Sequence, residues 1–287
     1  MTPPTRGEGG NTAQDDRRSS GQSGLKRVVL IVAAIAAGCG PEASRPADAP
    51  AAREVAVAAA SDLKFALDEI TAEFARRHPD VAVKTTYGSS GNFYSQLANR
   101  APFDLYFSAD IGYPRKLIEQ GHADADSLFP YAVGRVVVWV PGASPLDVKA
   151  LGIRAVAEPS VRKVAIANPK HAPYGRAAEA ALRKSGVYDS VADRLVLGEN
   201  IAQTAQFVET GGADVGLIAL SLAAAPAMKD KGRYWEVPAD AHPPLEQGGV
   251  ILKWAKDPEA ARMFRDFVIS AEGRAILKRY GFEPPGE

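Results

Sequence analysis

Four short stretches of this sequence place hydroxyls, amides and glycines, rather than acid–base pairs, where a strand gives way to a helix. They are AAASD, ending at Asp62; YGSSGN, from Tyr87 to Asn92; NPKHAPYGRAA, around Pro173-Tyr174-Gly175; and LGENIAQTA, around Asn200-Ile201. A helix N-terminus offers unpaired backbone N–H groups and a partial positive charge, which together hold an anion without lysine or arginine. Ser61, Ser89 and Ser90 would add hydroxyl donors, and Gly88, Gly91 and Gly175 would let main chain approach a ligand closely. The chemistry on offer is the wrapping of a small oxyanion in neutral hydrogen bonds. Each polar residue also has an ordinary use, because Ser61, Ser89, Ser90 or Asn200 could simply cap the helix that follows, at about 1 kcal/mol each.

Other chemistries fit less well. Ser61-Asp62-Leu63-Lys64 is an S-x-x-K, Ser90-Gly91-Asn92 an S-x-N, and Lys184-Ser185-Gly186 resembles K-T-G, the elements of a penicillin-recognising serine acylase. The last of these follows Ala177 to Leu182, however, and reads as a glycine-capped helix end rather than a strand. Gly88-Ser89-Ser90-Gly91 is one residue short of a G-x-S-x-G elbow. The single cysteine and four scattered histidines have no metal-ligand spacing, and His78, His122, His171 and His242 read as surface or loop residues. A ferric-ion site would want adjacent tyrosines, and the chain has no Tyr-Tyr pair. Lysine plus arginine (34) balances aspartate plus glutamate (34), which leaves no electrostatic footprint for nucleic acid. The reading is a binding protein, not an enzyme, without a cofactor.

The elements that must position these loops fill a chain of 287 residues. Met1 to Gly24, rich in Gly, Ser, Pro and charge, reads as disordered. Lys26-Arg27 then precede VVLIVAAIAAG, too short to span a bilayer and patterned like a secretory signal, ending at Gly38-Cys39. Residues 1–39 are therefore expected to be a leader and lipoprotein-type signal, with Cys39 the lipidation site, and residues 40–53 an Ala/Pro-rich tether. Beyond it strands and helices alternate, the pattern of an α/β fold with mostly parallel sheets flanked by helices. Their number predicts two lobes: 54–132 with 248–287 as lobe 1, and 133–247 as lobe 2. Hinges are expected near Tyr131 to Val136 and Pro238 to Gly249, and VGRVVVWV (133–140) reads as one strand.

From about Val55 to Phe282 the sequence resembles the molybdate-binding proteins of bacterial ABC importers, a two-lobed type II periplasmic-binding fold. The pieces that carry the resemblance are VAVAAASDLKFAL, YGSSGNFYSQL with APFDLYFSAD, NPKHAPYGRAA, ADVGLIALS and ILKRYGF, in that order. The resemblance implies that molybdate or tungstate sits between the lobes on serine hydroxyls and backbone amides. Carried over, these are Ser61 and Ser90, with Ser89 a near alternative, and the N–H groups of Tyr174 and Ile201; they hold the oxyanion, not the metal itself. Some members add a tyrosine hydroxyl from the strand that here has Ala219, and Tyr174 is expected to replace it from the other loop. Asp62 is expected to face solvent on its helix, and Asp104 and Asp110 to be structural or to form part of a surface that docks the permease. The implied partners are a small oxyanion and a membrane permease, for a monomer in the periplasm or lipid-anchored on the outer face of the cytoplasmic membrane. Sulfate or phosphate would suit a similar ring of donors of another radius.

Overall fold

The computed structural model describes residues 53–286. The expectations for the leader, the signal segment, Cys39 and the tether up to residue 52 lie outside them. In chain order the elements are β1 (Arg53–Ala60), α1 (Lys64–Arg77), β2 (Val81–Gly88), α2 (Ser90–Ala98), β3 (Leu105–Ser108), α3 (Gly112–Glu119) and β4 (Phe129–Gly134). There follow β5 (Val136–Pro141), α4 (Val148–Leu151), β6 (Val164–Ala167), α5 (Pro173–Lys184), α6 (Tyr188–Val191), β7 (Leu195–Gly198), α7 (Ile201–Glu209), β8 (Val215–Ala219), α8 (Leu220–Ala223) and β9 (Gly232–Glu236). The chain then returns through β10 (Leu245–Ile251), α9 (Pro258–Ile269) and α10 (Ala271–Arg279).

The strands form two five-stranded sheets, β2-β1-β3-β10-β4 in lobe 1 and β7-β6-β8-β5-β9 in lobe 2. In each lobe the strands that feed the candidate loops are parallel and end level: Ala60 lies opposite Gly88, and Ala167 opposite Gly198. Burial on both faces explains the composition of β1 and β6, since the second half of β1 and all of β6 are buried apolar runs. Leu63, Leu67, Ile70 and Phe74, spaced for one helical face, pack α1 into lobe 1. There Phe74 meets Phe264 and Phe267 edge to face at 5.2 and 5.6 Å.

The chain crosses between lobes at two places. Arg135 alone separates β4 from β5, and residues 237–244 separate β9 from β10. The run 133–140, read as one strand, is thus divided between two sheets: Gly134 pairs with Leu245 in one, Val136 with Ala219 in the other. Strand β4 continues to Gly134 and β10 begins at Leu245, so sheet residues of lobe 1 extend past the bounds 132 and 248. Arg53, assigned to the tether, instead opens β1, where its guanidinium holds Asp257 at 2.6 Å. Asp104 is structural, its carboxylate accepting from Ala56 N and Lys256 N at 2.7 Å each. His242, expected in a loop, is indeed between elements but is buried, with Nδ1 2.8 Å from Pro243 O.

Candidate functional site

The loops after β1 and β2 face the loops after β6 and β7 across the cleft between the lobes. Ser61, directly after β1, does not cap its own helix. Its hydroxyl instead crosses to lobe 2, donating to Asn200 Oδ1 at 3.1 Å and accepting from Ala202 N at 3.2 Å. Asn200 does cap α7, its Oδ1 accepting from Gln203 N at 3.0 Å. Ile201, between the two residues that Ser61 touches, is the first residue of α7, so its N–H has no acceptor within the helix.

The second loop closes on the approach to α5. Ser89 Oγ donates to His171 O at 2.7 Å, and Gly91 N donates to the same oxygen at 2.9 Å. His171 Nδ1 lies 3.0 Å from Ser89 Oγ. A Cβ on Gly91 would stand 2.5 Å from His171 O, so this glycine is what allows the two loops to touch. Ser90 sits between these contacts, yet its own hydroxyl bond stays in lobe 1, accepting from Ala109 N at 3.0 Å. Ser61, Ser89 and Ser90 are all buried. Tyr174, in the first turn of α5, has an N–H that Pro173 and the helix start leave without an intrahelical acceptor.

Asp62 is not on the solvent side. It is 1% exposed, and its Oδ2 accepts from Gln247 Nε2 at 2.6 Å. Gln247 also donates to the Tyr174 hydroxyl at 3.3 Å, so the Tyr174 side chain does cross from lobe 2 to lobe 1. The reason lies in the 3-10 turn that follows β1, which turns residue 62 inward, while Ser221 Oγ fixes the Asp62 carbonyl at 2.8 Å. Burial pushes the Asp62 carboxyl up to about 6, against hydrogen bonds from Gln247 and Tyr174 that lower it. Burial, with Asp62 beside it, likewise raises Tyr174 well above an ordinary tyrosine. Asp62 Oδ1 and Gln247 Oε1 are buried without a partner.

Two further cross-lobe pairs were not visible in the sequence: Asn92 Nδ2 donates to Glu199, and Arg176 holds Asp110. The acylase motifs do not assemble. Lys64 Nζ lies 3.6 Å from Asp68 and over the Tyr87 ring, while Lys184 reaches Asp240 at the far end of α5, roughly 16 Å along the helix from Pro173.

Two α/β lobes joined by two crossings, with strand ends and helix starts opposed across the cleft, define a bilobal ligand-binding protein. The chain belongs to the bacterial extracellular solute-binding protein family, whose model matches residues 55–283. It is 38% identical over 232 residues to the molybdate-binding protein ModA of Rhodobacter capsulatus, covering 81% of this chain and 89% of that protein. The molybdate-binding protein ModA of Azotobacter vinelandii is 36% identical over 258 residues, 90% of this chain and 97% of its own. The solved structure of the Azotobacter vinelandii periplasmic molybdate-binding protein superposes with a TM-score of 0.76 at 33% identity, covering 81% of this chain and 100% of that one. The sulfate-binding protein SubI of Mycobacterium tuberculosis, at 15% identity and a TM-score of 0.65 over 81% of this chain and 87% of its own, shares the fold. The fold class expected from the sequence is the one found.

Proposed function

We propose that this protein is the extracytoplasmic binding component of an ABC importer, and that it holds molybdate, or tungstate, in the cleft between its lobes. The observation that carries this reading is the meeting of Ser61 Oγ with Ala202 N at 3.2 Å, a neutral hydroxyl at a strand end touching a neutral amide at a helix start. An oxyanion entering there would displace this contact and take the Ser61 hydroxyl and the neighbouring Ile201 N–H as donors, neither of which brings a charge. The donor set is the hydroxyls of Ser61 and Ser90, with Ser89 beside them, and the N–H groups of Tyr174 and Ile201. The Tyr174 hydroxyl, expected to replace the contact that Ala219 lacks, is engaged with Asp62 and Gln247, so Tyr174 contributes through its N–H. The similarity to molybdate-binding proteins at 36–38% identity supports the choice of ligand.

The work is binding rather than catalysis. An anion that contacts both lobes stabilises the closed form by its extra contacts there, and closure presents one shape to a permease. The donors replace the water that the anion gives up, and a ring of fixed radius discriminates among tetrahedral dianions by whether every donor reaches at once. Lipidation at Cys39 would keep the monomer on the outer face of the cytoplasmic membrane.

A thermal-shift titration with molybdate, tungstate, sulfate, phosphate and ferric citrate tests the assignment. Molybdate at 100 times its dissociation constant is expected to add about 2.7 kcal/mol to stability and raise Tm accordingly. Ser61→Ala combined with Ser90→Ala is expected to abolish that rise while the ligand-free protein still melts cooperatively. A rise with phosphate alone, or with none of the anions, refutes the reading.

A further inference from the structure

Asp110, Arg176 and Tyr113 bridge the mouth of the same cleft. Arg176 lies on α5 two residues beyond Tyr174, and its Nη2 meets Asp110 Oδ2 of lobe 1 at 2.6 Å. Its Nη1 donates to the Tyr113 hydroxyl at 3.2 Å, and its guanidinium carbon stands 5.6 Å from the centre of that ring. The lobe 1 side is held ready for this contact. Asp110 Oδ1 accepts from Gly112 N at 2.8 Å, Ser108 Oγ donates to Asp110 O at 2.7 Å, and Tyr113 leans on Tyr94 with ring centres 5.2 Å apart.

The chain positions connect this group to the anion donors on both sides. Asp110 follows Ala109, whose N–H holds the Ser90 hydroxyl, and Arg176 follows Tyr174 and Gly175 on the first turns of α5. Pulling Arg176 toward Asp110 therefore sets the start of α5 opposite Ser90. It also occupies the one cation on the first turns of α5, so that the anion meets neutral donors.

We infer that Asp110, Arg176 and Tyr113 form a cross-lobe clasp that positions the α5 donors and governs how fast a bound oxyanion leaves. This rests on the reading of the cleft as an oxyanion site. The clasp is broken whenever the lobes part, so its contribution falls on the dissociation rate rather than on association. The pair is partly exposed, 40% for Arg176 and 38% for Asp110, so its effect is moderate and screened by salt.

The test is stopped-flow measurement of molybdate binding to the full chain and to Asp110→Asn, Arg176→Gln, the double variant and Arg176→Lys. The expected result is a koff about fivefold higher in each single neutral variant, with kon within twofold and the ligand-free Tm unchanged. The double variant should lose no more than either single one, Arg176→Lys should fall between, and added salt should raise koff only where the ion pair remains. Single variants with koff within twofold of the parent, or losses that multiply in the double variant, overturn the clasp. The parent protein is the control for the ligand: if it binds sulfate and not molybdate, the ligand assignment fails and the same series run with sulfate decides the clasp. A parent that holds neither overturns both.

Discussion

Asp62 sets a buried carboxyl one residue from Ser61 in the cleft proposed to hold an anion. Its folded pKa, about 6, lies above the value of 3.8 for a free side chain, so the folded form binds its proton more tightly. The stability this represents is complete below about pH 4 and is lost as pH rises through 6. Asp62→Asn, which keeps the shape and removes the charge, is expected to match the parent near pH 4 and to exceed it at pH 7 by roughly 2–3 kcal/mol, as read from urea unfolding at both pH values. Equal differences at the two pH values would show that the gain is not the proton's. The sequence made the Asn200 cap legible, because its type at a strand–helix junction carries its meaning locally, whereas Ser61, open to the same capping reading, reaches across to lobe 2 instead. The sequence hid the setting of Asp62, whose partner Gln247 is 185 residues away. Nothing in the SDLK run distinguishes an outward aspartate from an inward one.

At the scale of elements, two glycines separate lobe packing from lobe closure. A Cβ on Gly175 would fall on Ala167 O, within lobe 2, where the start of α5 lies against the end of β6. Gly175→Ala is expected to destabilise the ligand-free protein by about 1–3 kcal/mol in urea unfolding, the range of an overpacked core. A Cβ on Gly91 would meet His171 O at 2.5 Å only when the lobes are together, and within lobe 1 it would meet just the hydroxyl end of the Tyr113 side chain, at 2.9 Å. Gly91→Ala should leave unfolding within about 0.5 kcal/mol of the parent and weaken molybdate binding about tenfold or more by calorimetry. Elements with their own punctuation carry it in the sequence: α7 follows its Asn200 cap, and α9 and α10 follow the caps Asp257 and Ser270. The division of 133–140 into β4 and β5 was not readable, since a strand that changes sheets keeps its apolar run and only pairing partners reveal the break. β9, an edge strand of partly exposed residues, carries only Tyr234 and Trp235 as an apolar signal, too short a run to read.

For the whole molecule, the two crossings lie side by side, with Val237 N bonded to Val136 O at 2.9 Å and Leu220 N to Arg135 O at 2.9 Å. Arg135 is itself gripped by Glu236 and Glu283, one acid from each neighbouring segment. Rotation about so narrow a waist would move the lobes as bodies, and protection from hydrogen exchange would report it locally. Molybdate is expected to slow exchange in the first turns of α5 and α7 and in residues 88–92, while leaving the outer edge of β7 unchanged. A uniform slowing over both lobes would mean stabilisation without closure.

The order of strands in lobe 1 carries one more consequence. Its sheet is β2-β1-β3-β10-β4, so the strand seated between β3 and β4 is the last to be made, whereas every strand of lobe 2 lies in one unbroken stretch. A growing chain can therefore complete the second lobe while the first still waits with a gap in its sheet. The half of the protein that is begun first is finished last, and its vacant strand position stays unfilled until roughly the final forty residues arrive.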